Sequence, residues 1–167
     1  MTPGPPARAV DWAILVVLVL QAATGVGTIF VGTPESAWVV VLHAIGGLVL
    51  VVLIGLKLWR VRYRLRPGRL RRDMVPAVFA ALVVLATMGT GVAWASGWRP
   101  WVGLWTLLTI HAVLGLLLLV PVLAHLSLRI HRPRAVDFGE RRTALQFAAM
   151  VGVGTLAWGL QRQLTRL

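Results

Sequence analysis

Long apolar stretches separated by short polar breaks make up nearly the whole chain. The apolar runs cover Trp12 to Phe30, Trp38 to Trp59, roughly Val75 to Trp94, roughly Leu104 to Leu128, and Thr143 to Leu160. Each is close to the ~20 residues a helix needs to cross a hydrocarbon core of ~30 Å. Backbone polar groups find no water in lipid and must be satisfied within their own segment, so each run is expected to be a helix. Pro121 inside the fourth run lacks an N–H and should kink it. The expected fold class is an all-α integral membrane protein: a four-helix bundle over residues 1–132, then a basic loop and a fifth transmembrane helix over 133–167.

Composition strengthens this picture. Of 167 residues, 58% are hydrophobic and only five are acidic, too little charge to cover a soluble domain of this size. A formal net charge of +12 would ordinarily suggest nucleic acid. The basic residues instead fall in two blocks between apolar runs, so membrane lipid is the expected surroundings and nucleic acid is not an expected partner. One block, KLWRVRYRLRPGRLRRD, carries eight basic residues from Lys57 to Arg72; the other reads RIHRPRAVDFGERR. The intervening loops VGTPES and SGWRPWVG are almost uncharged. The positive-inside rule then puts the two basic loops and the N-terminus in the cytoplasm and the C-terminus outside, across a bacterial inner membrane. Trp38, Trp98 and Trp101 fall at the outer interface, where tryptophan anchors helices. The first run lacks a basic leader beyond Arg8 and a small-residue cleavage site, so it reads as a retained helix.

The second and fourth runs repeat one another. LHAIGGLVLVVLIGLKLWR lies over IHAVLGLLLLVPVLAHLSLR without a gap, matching His43 to His111, Ala44 to Ala112, Gly47 to Gly115, and Lys57 to His125. The first run carries TGVGT from Thr24 to Thr28 and the third carries MGTGVAW from Met88 to Trp94. A helix pair used twice generally places a functional site at the interface between copies.

The chemistry rests on histidine. Cysteine is absent, which excludes disulfides, iron–sulfur clusters and thiolate metal sites. His43 and His111 each lie a turn or two inside the outer end of helices that run in the same direction, so they should reach equal depth. Ionisable residues inside a membrane helix are costly and point first to function. Two imidazoles at matched depth suit a porphyrin iron with one nitrogen ligand on each face. His125 follows His111 at a spacing that returns to nearly the same helix face, ~21 Å further along. It could hold a second, inner heme with Lys57 as the other ligand, provided that lysine loses its proton.

A macrocycle wedged among helices needs small residues where backbones pass its edge. Gly25 and Gly27, Gly89 and Gly91, and Gly47 and Gly115 all fall near the depth of His43 and His111. Arg60 and Arg129 are candidate partners for heme propionates. Each residue has a plainer role open to it. A membrane histidine can bond a carbonyl on a neighbouring helix, Lys57 can be a snorkelling anchor, and the glycines can be ordinary packing sites. His131 lies in the basic loop and reads as a surface residue.

The TG string of the first helix, the LHAIGG and IHAVLG starts, and the HLSLR end resemble the membrane cytochrome b subunits of the b561, hydrogenase and formate-dehydrogenase gamma superfamily. The resemblance covers about residues 8 to 132. It implies four helices around one or two b-type hemes. It also implies electron transfer between a quinone pool and the other subunits of a respiratory or photosynthetic oxidoreductase, not catalysis by this chain alone. Quinone is the further cofactor it brings into view. Members commonly carry a heme-binding histidine at the start of the first helix, where this chain reads RAVDWAIL. That ligand does not carry over. The layout on the second and fourth helices is closer to the diheme arrangement of quinol-oxidising cytochrome b. ERRTALQFAAMVGVGTLAWGL also looks like a twin-arginine export signal, though a plain fifth helix explains it as well. The rival to an electron-transfer subunit is a cofactor-free membrane anchor or assembly subunit. A small transporter fits less well, for lack of buried carboxylates.

Overall fold

The computed structural model describes residues 4–62, 75–129 and 140–164; of 75–77 and 122–129 it describes the backbone alone. Five helices account for most of the described chain: α1 (Ala7–Thr28), α2 (Trp38–Val61), α3 (Val75–Ala95), α4 (Leu107–Arg129) and α5 (Arg141–Leu164). At 1.5 Å per residue even the 21 residues of α3 span roughly the thickness of a hydrocarbon core. α1, α2, α3 and α5 are long and apolar enough to cross a membrane. α4 has 23 residues and is apolar over Leu107–Pro121, as far as its side chains are described. The chain is therefore an all-α, multi-pass membrane protein.

Local chemistry sets where each helix stops. The last turn of α1 tightens through bonds from Ile29 N to Val26 O and from Phe30 N to Gly27 O. Pro34–Ser36 then forms a single 3-10 turn that leads into α2, with Thr33 and Ser36 exchanging side-chain and backbone bonds. α3 ends in a Schellman motif: Trp98 N reaches Ala93 O, Gly97 N reaches Trp94 O, and Gly97 takes the left-handed φ of +84°. A two-stranded hairpin, β1 (Trp101–Val102) and β2 (Trp105–Thr106), bridges α3 and α4. Its turn starts on Gly103 at φ +62°, a conformation a side chain would resist. Thr106 caps α4, its Oγ1 accepting from Thr109 N at 3.1 Å. α4 runs through Pro121 without a break in the helix.

The helices fall into two compact units, Met1–Arg60 with His131–Leu160, and Val61–Ile130 with Gln161–Leu167. The first thus holds α1, α2 and most of α5. Its buried positions include Ala9, Val10 and Ile14 of α1, Val49, Leu50 and Leu53 of α2, and Thr143 of α5. Gly154 brings α5 close to α2: a Cβ there would stand 2.7 Å from Val49 Cγ2 and 3.3 Å from Val49 N. Small residues permit such close approach in membranes, where packing replaces the hydrophobic drive. The second unit holds α3, α4 and the hairpin, with Val84, Leu107 and Leu118 buried.

Candidate functional site

In the first unit α1 and α2 meet around His43, which is half-buried. A helical threonine readily bonds the carbonyl one turn back, and Thr24 Oγ1 donates to Leu20 O at 2.7 Å. The same oxygen lies 3.1 Å from His43 Nδ1. The next residue is Gly25, and a Cβ there would stand 3.1 Å from His43 Cε1. One turn earlier on α1, Gln21 Nε2 donates to the His43 carbonyl at 3.0 Å. Its amide sits where a Cβ on Gly46 would collide with it, and 4.0 Å from the position of one on Gly47.

In the second unit α3 and α4 repeat the arrangement around His111, also half-buried. Thr90 Oγ1 donates toward Ala86 O and Thr87 O, 2.9 Å from each, and lies 3.4 Å from His111 Nδ1. His111 Nδ1 donates to Thr87 O at 2.8 Å. Gly91 follows Thr90, and a Cβ on it would stand 2.7 Å from His111 Cε1. Thr87 is three residues before Thr90, as Gln21 is three before Thr24. Gly115, the match of Gly47, lies against Thr87 as Gly47 lies against Gln21.

The repeat seen in α2 and α4 therefore extends to α1 and α3, in the register TGV over TGV (Thr24–Val26 on Thr90–Val92). His43 and His111 are each seated by the threonine–glycine step of the preceding helix. Those two threonines and Gln21 were not singled out from the sequence. The doubled TGV string, followed at nearly equal distance by a histidine, was the available signal.

The other candidate residues fall elsewhere. Gly27 faces Val39 Cγ1, 3.2 Å from where its Cβ would be, and a Cβ on Gly89 would meet nothing within 4 Å. Lys57 Nζ pairs with Asp11 Oδ1 at 2.7 Å, the two side chains 40% and 53% exposed. Arg60 Nη2 donates to Pro5 O at 2.6 Å, which ties the end of α2 to the segment before α1. The side chains of His125 and Arg129, and the whole of His131, lie outside the described residues.

Among the described residues no group of three or more His, Asp or Glu side chains could hold a metal ion. Axial heme ligation needs only one or two imidazoles, and His43 and His111 supply that donor type. No family model, no curated protein and no solved structure matches this chain.

Proposed function

We propose that this chain is the cytochrome b subunit of an oxidoreductase complex in a bacterial cytoplasmic membrane, with His43 and His111 as ligands to heme b. The observation that carries this reading is the repetition of a whole histidine environment in two helix pairs. A stray polar residue in a membrane helix has no reason to recur with its threonine, its glycine and its small neighbour one turn on. Histidine is also costly at that depth unless it serves a purpose, and a chain without cysteine has imidazole as its natural iron ligand. In each pair Nδ1 is engaged by the neighbouring helix, so Nε2 is the nitrogen that would meet iron.

Bound heme would supply reversible one-electron exchange between ferric and ferrous iron. The chain's own part is to hold the rings, keep water out with apolar helix faces, and tune the iron through the groups behind each imidazole. Electrons would pass between a quinone pool or a redox partner subunit and the rest of the complex. His125 is the candidate ligand for a second, inner heme. Lys57 could join it only after giving up Asp11. In the same reading α4 is a further membrane span, the N-terminus is cytoplasmic and the C-terminus extracytoplasmic.

One observation favours the rival, a cofactor-free anchor: the bond from His111 to the Thr87 carbonyl is the interhelical contact such a protein would use. Metal-bound histidines commonly make the same contact through their second nitrogen, so colour decides. The test is a reduced-minus-oxidised spectrum with a pyridine hemochrome assay per chain, on wild type, His43→Ala and His111→Ala. Heme b in wild type, lost in either variant, is the expected result. A folded, heme-supplied preparation without absorbance would leave the anchor.

A further inference from the structure

We infer that the steps Thr24–Gly25 and Thr90–Gly91 are two sockets that fix both histidines as the Nδ1–H tautomer, and that they do so with unequal acceptors. In water a neutral imidazole places its proton on either nitrogen, so a site that needs the Nε2 lone pair must hold the other nitrogen as a donor. At His111 the assignment is direct. A carbonyl oxygen only accepts, and Nδ1 lies 2.8 Å from Thr87 O.

At His43 it follows from Thr24. Two oxygens 2.7 Å apart need a hydrogen between them, and the Leu20 carbonyl has none. The single hydroxyl hydrogen of Thr24 is therefore spent on Leu20. Toward His43, 3.1 Å away, Thr24 Oγ1 can only accept, so Nδ1 carries the proton there too.

The glycines explain how the rings reach these acceptors. A helical side chain lies over the turn before its own Cα and so covers the carbonyl four residues back. Gly91 leaves Thr87 O uncovered, and a Cβ on it would stand 3.0 Å from Nδ1 itself. Gly25 clears the same space beside His43, where the corresponding Nδ1 distance is 3.5 Å. Glycine next to threonine thus places the ring and threonine or the bared carbonyl orients it. Thr24, Thr90, Gly25 and Gly91 are positioning residues.

The two sockets differ in strength. A backbone carbonyl is a stronger acceptor than a hydroxyl that is already donating, and a stronger acceptor at Nδ1 makes Nε2 more basic. His111 should be the more electron-rich ligand. This consequence rests on the heme reading; the tautomers do not.

The test is nitrogen-15 NMR of histidine in the full-length chain, purified without heme in micelles. Nδ1–H at both His43 and His111 is expected, and Nε2–H at either one overturns the proposal. Thr24→Val should move His43 toward Nε2–H, with Thr24→Ser restoring it; an unchanged His43 in the valine variant removes Thr24 from the role. Thr90→Val should leave His111 as Nδ1–H because Thr87 O remains, and a flip there refutes the unequal acceptors. On chain loaded with heme, Thr24→Val should raise the midpoint potential more than Thr90→Val, and equal or downward shifts count against the asymmetry. Nδ1–H at both rings in a chain that binds no heme would keep the sockets and end the cytochrome reading.

Discussion

A methyl group at Gly91 would collide with the ring of His111, and the same group at Gly25 would crowd that of His43 less severely. The distances to Cε1, 2.7 Å and 3.1 Å, separate a contact that real side chains do not make from one that a small shift relieves. Gly91→Ala should therefore cost more than Gly25→Ala, about 1–3 kcal/mol as for other overpacked interiors. Thermal unfolding in detergent would read it as a larger drop in Tm and, under the proposed heme reading, as a larger loss of heme in the same samples. Equal effects would mean that His111 swings aside freely. Lys57 calls for the opposite expectation. Its pair with Asp11 is well over a third exposed on both sides, and such pairs contribute at most about 1 kcal/mol. Under the proposed heme reading, Lys57→Met should leave heme content per chain and the optical spectrum unchanged, and losing a heme would make Lys57 a ligand. At this scale the sequence was half legible. Histidines and glycines stand out against an apolar background because they are costly or permissive there. Thr24 and Thr90 do not, since a threonine that bonds its own helix looks neutral until its oxygen is seen beside a ring.

Hydropathy located the helices well and their ends less well, because it reports the part that sits in lipid and not the part that is helical. α1 begins at Ala7, five residues ahead of the apolar run that starts at Trp12, because nothing between Pro6 and Trp12 breaks a helix. α5 runs from Arg141 to Leu164, past the apolar limits Thr143 and Leu160, since arginine, glutamine and leucine are good helix formers. α4 is the reverse case. Leu104 belongs to the apolar run yet sits in the hairpin turn at 94% exposure, because Gly103 reverses the chain and Thr106 starts the helix. The cap gives a prediction. Thr106→Ala removes the acceptor for Thr109 N and should destabilise by about 1 kcal/mol, whereas Thr106→Ser should be nearly neutral. Amide exchange at the start of α4 would show faster opening in the alanine variant only. Identical protection in both variants would mean the hairpin, not the cap, holds the first turn.

Side chains exposed along the helices are what a water-soluble protein would hide. Leu20, Leu82, Leu117, Val120 and Leu156 are each more than half exposed and lie well inside their helices. At about 25 cal/mol per Å2 of apolar surface, that exposure is tolerable only in lipid or against other subunits. Direction in the membrane then depends on charge. Eight basic residues between Lys57 and Arg72 face almost none in VGTPES and SGWRPWVG, and the positive-inside rule predicts the orientation from that bias. With α4 as the fifth span of the proposed reading, the two ends lie on opposite sides. Because the chain has no cysteine, single substitutions report their side without background. Ser36→Cys and Ser96→Cys should react with a membrane-impermeant maleimide added to intact cells, while Arg69→Cys should react only after the membrane is opened. A label on Arg69→Cys in intact cells would invert the topology and put His43 and His111 near the cytoplasmic face. Labelling of Ser36→Cys but not Ser96→Cys would break the like direction of α2 and α4. The proposal of both histidines as heme ligands draws on the depth match expected from that shared direction, so such a result would remove this support.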